Sequence, residues 1–476
     1  MSKLVIIILS GGPGSRLWPI SREGHPKPFI KLSDGQSLFQ KTLIRGLTLP
    51  NLVEIITVTN KNIFYQSVDD LNEINFPEEK SNLKKTFILE PSAKNTAPAI
   101  TLAAIDVLNR LGKDTVMLVL PADHLISNQS KFEKAVTEAI NLALSGKIVT
   151  FGIEPTSPDT GYGYIEADNF LVKRFIEKPN FKDALHFIEA GNFYWNSGMF
   201  CFKAAVFLDE IKQHCIEYFI NGENCIEQSS YSNRMDYDCL MLDTKTFNIF
   251  ESNSIDYALL EKSGDIAVVP CSIGWSDVGS WLALTDSMDK NNEENRQYGD
   301  ALFFETKNSS VWSTNRKVSL LGVKDLIVVE TFDSVLVLAK SHAQKVKELY
   351  ALLKDQEGSI CHNYRESRRP WGSFVVLYEG DFFKVKSIKI KPGHQISLQK
   401  HNFRSEHWIV VEGTAEVTRN NNNYLLNQNE STYIPIGEIH RLRNPNSSIL
   451  EIIEVQLGSY LGEDDIFRYD DNYDRQ

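Results

Sequence analysis

The sequence predicts an α/β domain built on a mainly parallel sheet, then a short β-solenoid-like segment, then a C-terminal β-barrel. Three observations carry this reading. Short apolar runs alternate with amphipathic stretches to about residue 285, the pattern of parallel strands joined by crossover helices. From Gly299 to Ala339, short β-like runs recur at near-regular spacing. Beyond Arg369, an alternating β pattern continues almost to the end of the chain. The expected domains are 1–285, a β-rich connecting segment with a linker helix at 286–360, and 361–476.

A chain of 476 residues exceeds a typical single domain, which agrees with this division. Its net charge of −12, from 50 basic and 62 acidic residues, argues against a general nucleic-acid or anionic-membrane partner. Any phosphate site must therefore be a local concentration of Arg, Lys or metal. The six cysteines are scattered without a CxxC pair, suggesting neither a zinc ribbon nor a disulfide framework and fitting a reducing compartment. The apolar run ending at Leu9 is too short to span a membrane and lacks a signal-peptide cleavage pattern, so a cytoplasmic chain is expected.

The first element is the Val- and Ile-rich run Leu4 to Leu9, a buried strand by length and content. It leads into LSGGPGSRLWP, Leu9 to Pro19. Gly11, Gly12 and Gly14 let the backbone turn sharply and approach a ligand, and exposed N–H groups after a strand make an anion cradle. Arg16 adds a guanidinium fork suited to phosphate, and Lys27, in HPKPF, adds a second cation. The spacing is neither the dinucleotide fingerprint nor a P-loop. Val53 to Asn60, Thr86 to Pro91, Thr115 to His124 and Lys147 to Ile153 read as further strands. Ser37 to Leu47, Ala97 to Leu111 and Lys131 to Leu144 read as helices. Ligands in such sheets sit beyond the carboxyl ends of the strands, so the polar residues there are the candidates. They are Asn95 and Thr96 in LEPSAKNTAPA, which also suit a helix cap, and Asp123 in PADH, where His124 reads as structural.

LSGGPGSRLWP resembles the signature of sugar nucleotidyltransferases, most closely that of mannose-1-phosphate guanylyltransferases. The resemblance implies a Rossmann-like nucleotidyltransferase domain. It implies nucleotide contacts at Leu9, Gly11, Gly12, Gly14, Asn95 and Thr96, and catalytic roles for Arg16 and Lys27. The departures are Pro13 and Ser15 in the loop, Pro28 in PKPF, and Ala93 and Lys94 in the segment similar to EPxGRNTAPA. None touches Arg16 or Lys27. In the family the acid matching Asp123 holds Mg²⁺, and GWSDVGSW resembles the segment carrying a second carboxylate, Asp277. Mg²⁺ is usually held by one or two carboxylates plus substrate phosphates. TGYGYI, with Gly161, resembles the segment that passes over the sugar. FIEKP offers Glu177 for sugar hydroxyls and Lys178 for the sugar phosphate, and YWNSGMF offers Asn196. Met199 and Phe200 read as core.

After the β-like runs, Ala343 to Gln356 reads as a helix leading into a polar linker that ends near Arg369. In the last region Gly393, Gln399, His401, Glu406 and Gly413, then Pro435, Gly437, His440 and Asn444, match the spacing of the two cupin motifs, with Gln399 and Asn429 as departures. Residues 399 and 401 fall on one face of a strand. The oxygen of Gln399, His401, Glu406 and His440 can then converge on one metal, and mixed N and O ligands suit Zn²⁺, Mn²⁺, Fe²⁺ or Co²⁺. SLQKHNFRSEHWIVVEGTA, YIPIGEIHRLRNP and EVQLGSYLGEDDIFRYDDNY resemble type II phosphomannose isomerase. There Arg404 is expected to bind or polarise the substrate, with Glu463, Asp464 or Asp465 as proton shuttle and Arg468 as a phosphate contact.

Nearly the whole chain thus resembles the bifunctional mannose-6-phosphate isomerase/mannose-1-phosphate guanylyltransferase family. The implied substrates are GTP with mannose 1-phosphate, and mannose 6-phosphate with fructose 6-phosphate; a homodimer is one candidate assembly. Two rival readings are a catalytically dead sugar-nucleotide sensor and a guanylyltransferase whose cupin domain is only structural. Retention of both metal carboxylates argues against the first, and the full ligand set against the second.

Overall fold

The computed structural model describes residues 2–12, 14–234, 236–356, 358–362 and 366–470. Pro13 and the end of the EVQLGSYLGEDDIFRYDDNY stretch, from residue 471, lie outside the described residues. The chain divides into two compact units, 1–362 and 363–476.

The first unit is organised on an eleven-stranded sheet. Lys84–Glu90, Leu52–Asn60, Leu4–Leu9 and Val116–Pro121 run parallel as neighbours in its centre. These runs are apolar on both faces because helices cover both. Ile6 and Ile8 pack into one apolar layer and Val5 and Ile7 into the other. Thr96–Leu111 is buried continuously from Ala97 to Val107, with Ala and small residues letting it lie close to the strands. Phe193–Lys203 runs antiparallel between Val116–Pro121 and Ile148–Ile153, and Tyr164–Asp168 with Leu171–Ile176 form an antiparallel hairpin at one edge. Strand boundaries differ from expectation at one place that matters. The strand predicted to run to His124 stops at Pro121, and Asp123 stands in the turn beyond it.

Residues 296–339 coil as a small β-solenoid. Arg296–Tyr298, Ser310–Ser313 and Leu326–Glu330 stack in parallel on one face, and Ala301–Phe304 with Val318–Leu321 on another. Tyr298 stacks on Trp312 at 4.1 Å between ring centroids, as equivalent positions of successive coils should. Val335–Ala339 turns back antiparallel and ends the coil. The helix Val346–Gln356 follows a 3-10 stretch, Lys340–Lys345.

The second unit is all antiparallel: a six-stranded and a five-stranded sheet enclose a core of Trp371, Phe374, Ile388, Ile390, Trp408, Val410 and their neighbours. It has the cupin-like architecture expected. Glu366–Arg369, predicted as linker, is instead a strand paired with Gly372–Gly380. Asn429, at a position where cupins usually carry glycine, has φ +67°, a conformation that Asn tolerates better than other side chains. Among the described residues no helix is long and apolar enough to cross a membrane.

Candidate active sites

In the first unit a two-residue ladder makes the site. Leu125–Ile126 pairs antiparallel with Trp275–Ser276. It brings the turn holding Asp123 beside the turn holding Asp277. Both acids line a cleft of about 630 Å³ at the carboxyl ends of the central strands. Leu9, Gly11, Gly12, Asn95, Thr96, Gly161, Glu177 and Asn196 line the same cleft. Gly14, Arg16 and Lys27 line an adjoining mouth of about 340 Å³, and Asp123, His124 and Asp277 belong to both spaces. Of the residues predicted for this site, Lys178 alone lines neither. Its ammonium is ion-paired with Glu177 at 2.5 Å, and its side chain is largely exposed.

The glycine loop leaves room beside the cleft. A Cβ at Gly11 or Gly12 would meet nothing within 4 Å, so the backbone faces open space where a ligand can lie. Gly14 has φ +64°, and a Cβ there would sit 2.6 Å from the Cβ of Lys27. Its lack of a side chain lets Lys27 into the mouth, where only 8 % of the residue is exposed. The Lys27 ammonium donates to Asp123 Oδ2 at 2.7 Å and also to the Asp277 carbonyl. Burial opposes a charge on Asp123, but Lys27 outweighs it and holds the carboxyl below its ordinary range. Arg16 is exposed in the 3-10 turn Ser15–Leu17.

Asp277 accepts from the Tyr162 hydroxyl at 2.8 Å and from Gly279 N at 3.0 Å. Gly279 has no side chain to crowd the other oxygen, since a Cβ there would lie 2.4 Å from Oδ2. Two carboxylates beside an open mouth lined by cations fit a hard divalent cation with phosphate ligands. His124 accepts from Trp275 Nε1 at 3.1 Å, and burial pushes its pKa down to about 4, so its ring is neutral and structural. Asn95 and Thr96 line the cleft and are also held within the protein: Asn95 Oδ1 caps the helix at Thr96 N, and Thr96 Oγ1 accepts from Ile255 N.

Several lining residues were not singled out from the sequence. Tyr162 packs between Trp195 and Trp275, and burial beside Asp277 raises its pKa. Asp256 accepts from Asn196 Nδ2 at 2.7 Å, and burial next to the Glu177 charge raises its pKa. Glu90 ends its strand in the cleft with Oε1 buried and unpartnered, and burial pushes it up to about 8. A lone acid at an element's end carries no local signal; its neighbours come from distant segments.

The second unit gathers its site inside the barrel. Among the described residues His401, Glu406 and His440 are the group able to hold a metal ion, their ligand atoms lying within 4.8 Å of one another. His401 Nε2 lies 3.1 Å from Glu406 Oε1, and His440 Nε2 lies 3.6 Å from Oε2. Both Nδ1 atoms face backbone carbonyls, of Asp465 at 3.2 Å and Glu438 at 2.8 Å. With a metal bound and Nδ1–H donating there, each Nε2 would present a lone pair to the cluster. His440 Nε2 is buried and has no hydrogen-bond partner, and burial keeps the ring neutral by lowering its pKa. Glu406 is held ionised against its burial by His401, His440 and Arg404. This donor set fits a transition metal. Gln399 departs from expectation: its oxygen accepts from Ser397 Oγ at 2.8 Å, and its amide nitrogen is the atom 3.4 Å from His401 Nε2. A half-turn of the amide would exchange them.

Arg404 is 2 % exposed and donates to Glu406 Oε1 at 3.3 Å and to the Gly462 carbonyl at 2.7 Å. It lines a pocket with Arg369, Lys386 and Arg468. Of the three acids considered as shuttle, only Glu463 lines that pocket, ion-paired with Lys386 at 2.6 Å. Asp465 accepts from the backbone of Asn402 and Phe403, clamping the loop between His401 and Arg404. Asp464 accepts from the Tyr460 hydroxyl. Glu454, not foreseen, lines the pocket and is raised to about 8 by burial and by Glu406.

Comparisons agree with both halves. The nucleotidyl transferase family matches residues 5–294, the MannoseP isomerase/GMP-like beta-helix domain 299–353, and the mannose-6-phosphate isomerase C-terminal family 356–471. The chain is 44 % identical to the alginate biosynthesis protein AlgA of Pseudomonas syringae pv. tomato, over 99 % of this chain and 97 % of that one. It is 42 % identical to the xanthan biosynthesis protein XanB of Xanthomonas campestris pv. campestris over the full length of both. It is 41 % identical to mannose-1-phosphate guanylyltransferase 2 of Escherichia coli O157:H7, over 99 % and 98 %. Among solved structures, the mannose-1-phosphate geranyltransferase of Thermus thermophilus superposes with a TM-score of 0.65 at 28 % identity, covering 74 % of this chain and 99 % of that one. The mannose-6-phosphate isomerase of Helicobacter pylori superposes with a TM-score of 0.51 at 36 % identity, covering 58 % and 99 %.

Proposed function

Since the chain belongs to the bifunctional mannose-1-phosphate guanylyltransferase/mannose-6-phosphate isomerase family, we propose how its parts divide the work. Residues 1–285, with 286–360 behind them, transfer GMP from GTP to mannose 1-phosphate, giving GDP-mannose and pyrophosphate. Residues 361–476 interconvert mannose 6-phosphate and fructose 6-phosphate.

The observation that supports the first half is the convergence of the glycine loop, Lys27, Asp123 and Asp277 on one cleft. A phosphate oxygen of mannose 1-phosphate attacks the α-phosphorus in line, and the electron pair of the breaking bond leaves with pyrophosphate. The attacking oxygen is already ionised, so no general base is required. Catalysis is then positioning and charge neutralisation. Arg16 and Lys27 face the phosphates, while Glu177 and Asn196 accept and donate to sugar hydroxyls. Asp123 and Asp277 would hold Mg²⁺, which supplies further neutralisation of the phosphates.

In the barrel, Gln399, His401, Glu406 and His440 would hold a divalent transition metal such as Zn²⁺, Mn²⁺ or Co²⁺, which supplies charge stabilisation at the sugar oxygens. Arg404 orients the substrate. Glu463 moves the proton between carbons 1 and 2 by way of an enediol once the substrate's phosphate draws Lys386 away from it. Pyrophosphate release across a panel of nucleoside triphosphates and sugar 1-phosphates tests the first activity. Conversion of mannose 6-phosphate to fructose 6-phosphate tests the second. Best rates with GTP and mannose 1-phosphate are expected; release with no sugar preference, or none at all, would contradict the reading.

A further inference from the structure

We propose that Lys347, on the helix that follows the β-solenoid, is a phosphate-binding residue of the transferase site and takes the pyrophosphate end of the triphosphate. The inference rests on the transferase reading above and extends the site to a segment outside the nucleotidyltransferase domain.

Lys347 lines the mouth that Gly14, Arg16, Lys27, Asp123 and Asp277 line. Its neighbours on the helix fix its direction. Val346 and Tyr350 are buried in an apolar cluster with Leu17, Trp18 and Trp281, which form the back of the signature turn. Lys347 itself is exposed, turned away from that cluster by its place on the helix. The helix is tied to the chain just after the signature. Lys354 pairs with Glu23 at 2.8 Å, Arg22 pairs with Asp333 at 2.5 Å, and Glu23 N donates to the Cys361 carbonyl at 3.2 Å. Lys347 therefore sits on a helix packed against the back of the signature turn.

The mouth sets three cations, Arg16, Lys27 and Lys347, against two carboxylates, Asp123 and Asp277. Lys27 is engaged by Asp123. Among the described residues no carboxylate lies within ion-pair distance of Arg16 or Lys347. Two cations without an ion-pair partner that border one concave space favour an anion there. The sugar and base ends belong to the larger cleft on the far side of Asp123 and Asp277, so the anion that reaches the mouth is the leaving end of the triphosphate. As the bond from the α-phosphorus to the bridging oxygen breaks, negative charge grows on that oxygen and spreads over pyrophosphate. A fixed cation at the mouth stabilises it.

The test runs the reaction backwards, from GDP-mannose and inorganic pyrophosphate, in the full-length protein. Lys347→Ala should raise KM for pyrophosphate about tenfold, the loss of one charge-assisted contact, with KM for GDP-mannose and the isomerase rate unchanged. Lys347→Glu should be worse than Lys347→Ala, and Lys347→Arg should restore most of the affinity. An unchanged KM for pyrophosphate in the Ala and Glu variants would overturn the inference. So would an equal loss in the Ala, Glu and Arg variants, which would mark Lys347 as merely structural. A parent enzyme that forms no GDP-mannose from any substrate of the panel would overturn the transferase reading itself, and this inference with it.

Discussion

Lys27 and Asp123 illustrate how one residue pair sets a site. A buried ammonium and a partly buried carboxylate are each unfavourable alone; together they keep both charges in the cleft. Asp277→Asn keeps shape and removes charge, so Mg²⁺-dependent transfer should fall by about a hundredfold or more, read by a Mg²⁺ titration of pyrophosphate release. An unchanged titration would make the carboxylate structural. Arg16→Ala should lower transfer by about as much and leave thermal stability untouched, because the side chain is exposed. Glu90 makes a prediction about pH. Burial raises its pKa from 4.5 to about 8, so the folded protein holds that proton more tightly than the unfolded chain. The stability this contributes is present below pH 4.5 and is lost as pH rises through about 8. Without nucleotide, Glu90→Gln should therefore gain on the parent in melting temperature across that window. A constant offset between the two melting curves would contradict the assignment.

At the scale of elements, the glycine turn and the barrel's ligand face are where substitutions separate most cleanly. Gly14→Ala places a Cβ against Lys27 in a left-handed conformation and should depress transfer while sparing isomerisation. His401→Ala should lose both bound metal and isomerase activity. Arg404→Ala should keep the metal and lose the activity, as metal analysis beside the isomerase assay would show. The central strands were legible in the sequence because short runs rich in Val, Ile and Leu between loops have few other uses. The ligand triad of the barrel was legible because its spacing is local to two motifs. The ladder that joins the Asp123 and Asp277 turns was not, because two residues on each side carry no pattern. Tyr162, Asp256, Glu454 and Lys347 escaped for a related reason: each enters its site by convergence of segments far apart in sequence. The direction of the Gln399 amide escaped as well, since a strand's period of two fixes which way a side chain leaves the backbone but not how its amide turns.

On the scale of the whole molecule, the chain forms two compact units, each with its own core and its own polar site. The glycine turn is backed by an apolar cluster that includes the solenoid and its helix, so residues 286–360 belong with the transferase rather than acting as a spacer. Among the described residues, the barrel's candidate metal ligands and the lining of its basic pocket come from residues 369–468. The most direct test is to assay both reactions in parent, Arg16→Ala and His401→Ala proteins, each full-length and supplied with the same divalent metals. A crossed result is predicted: Arg16→Ala loses GDP-mannose synthesis and keeps isomerisation, and His401→Ala does the reverse. Loss of both activities in either folded variant would contradict two independent sites on one chain.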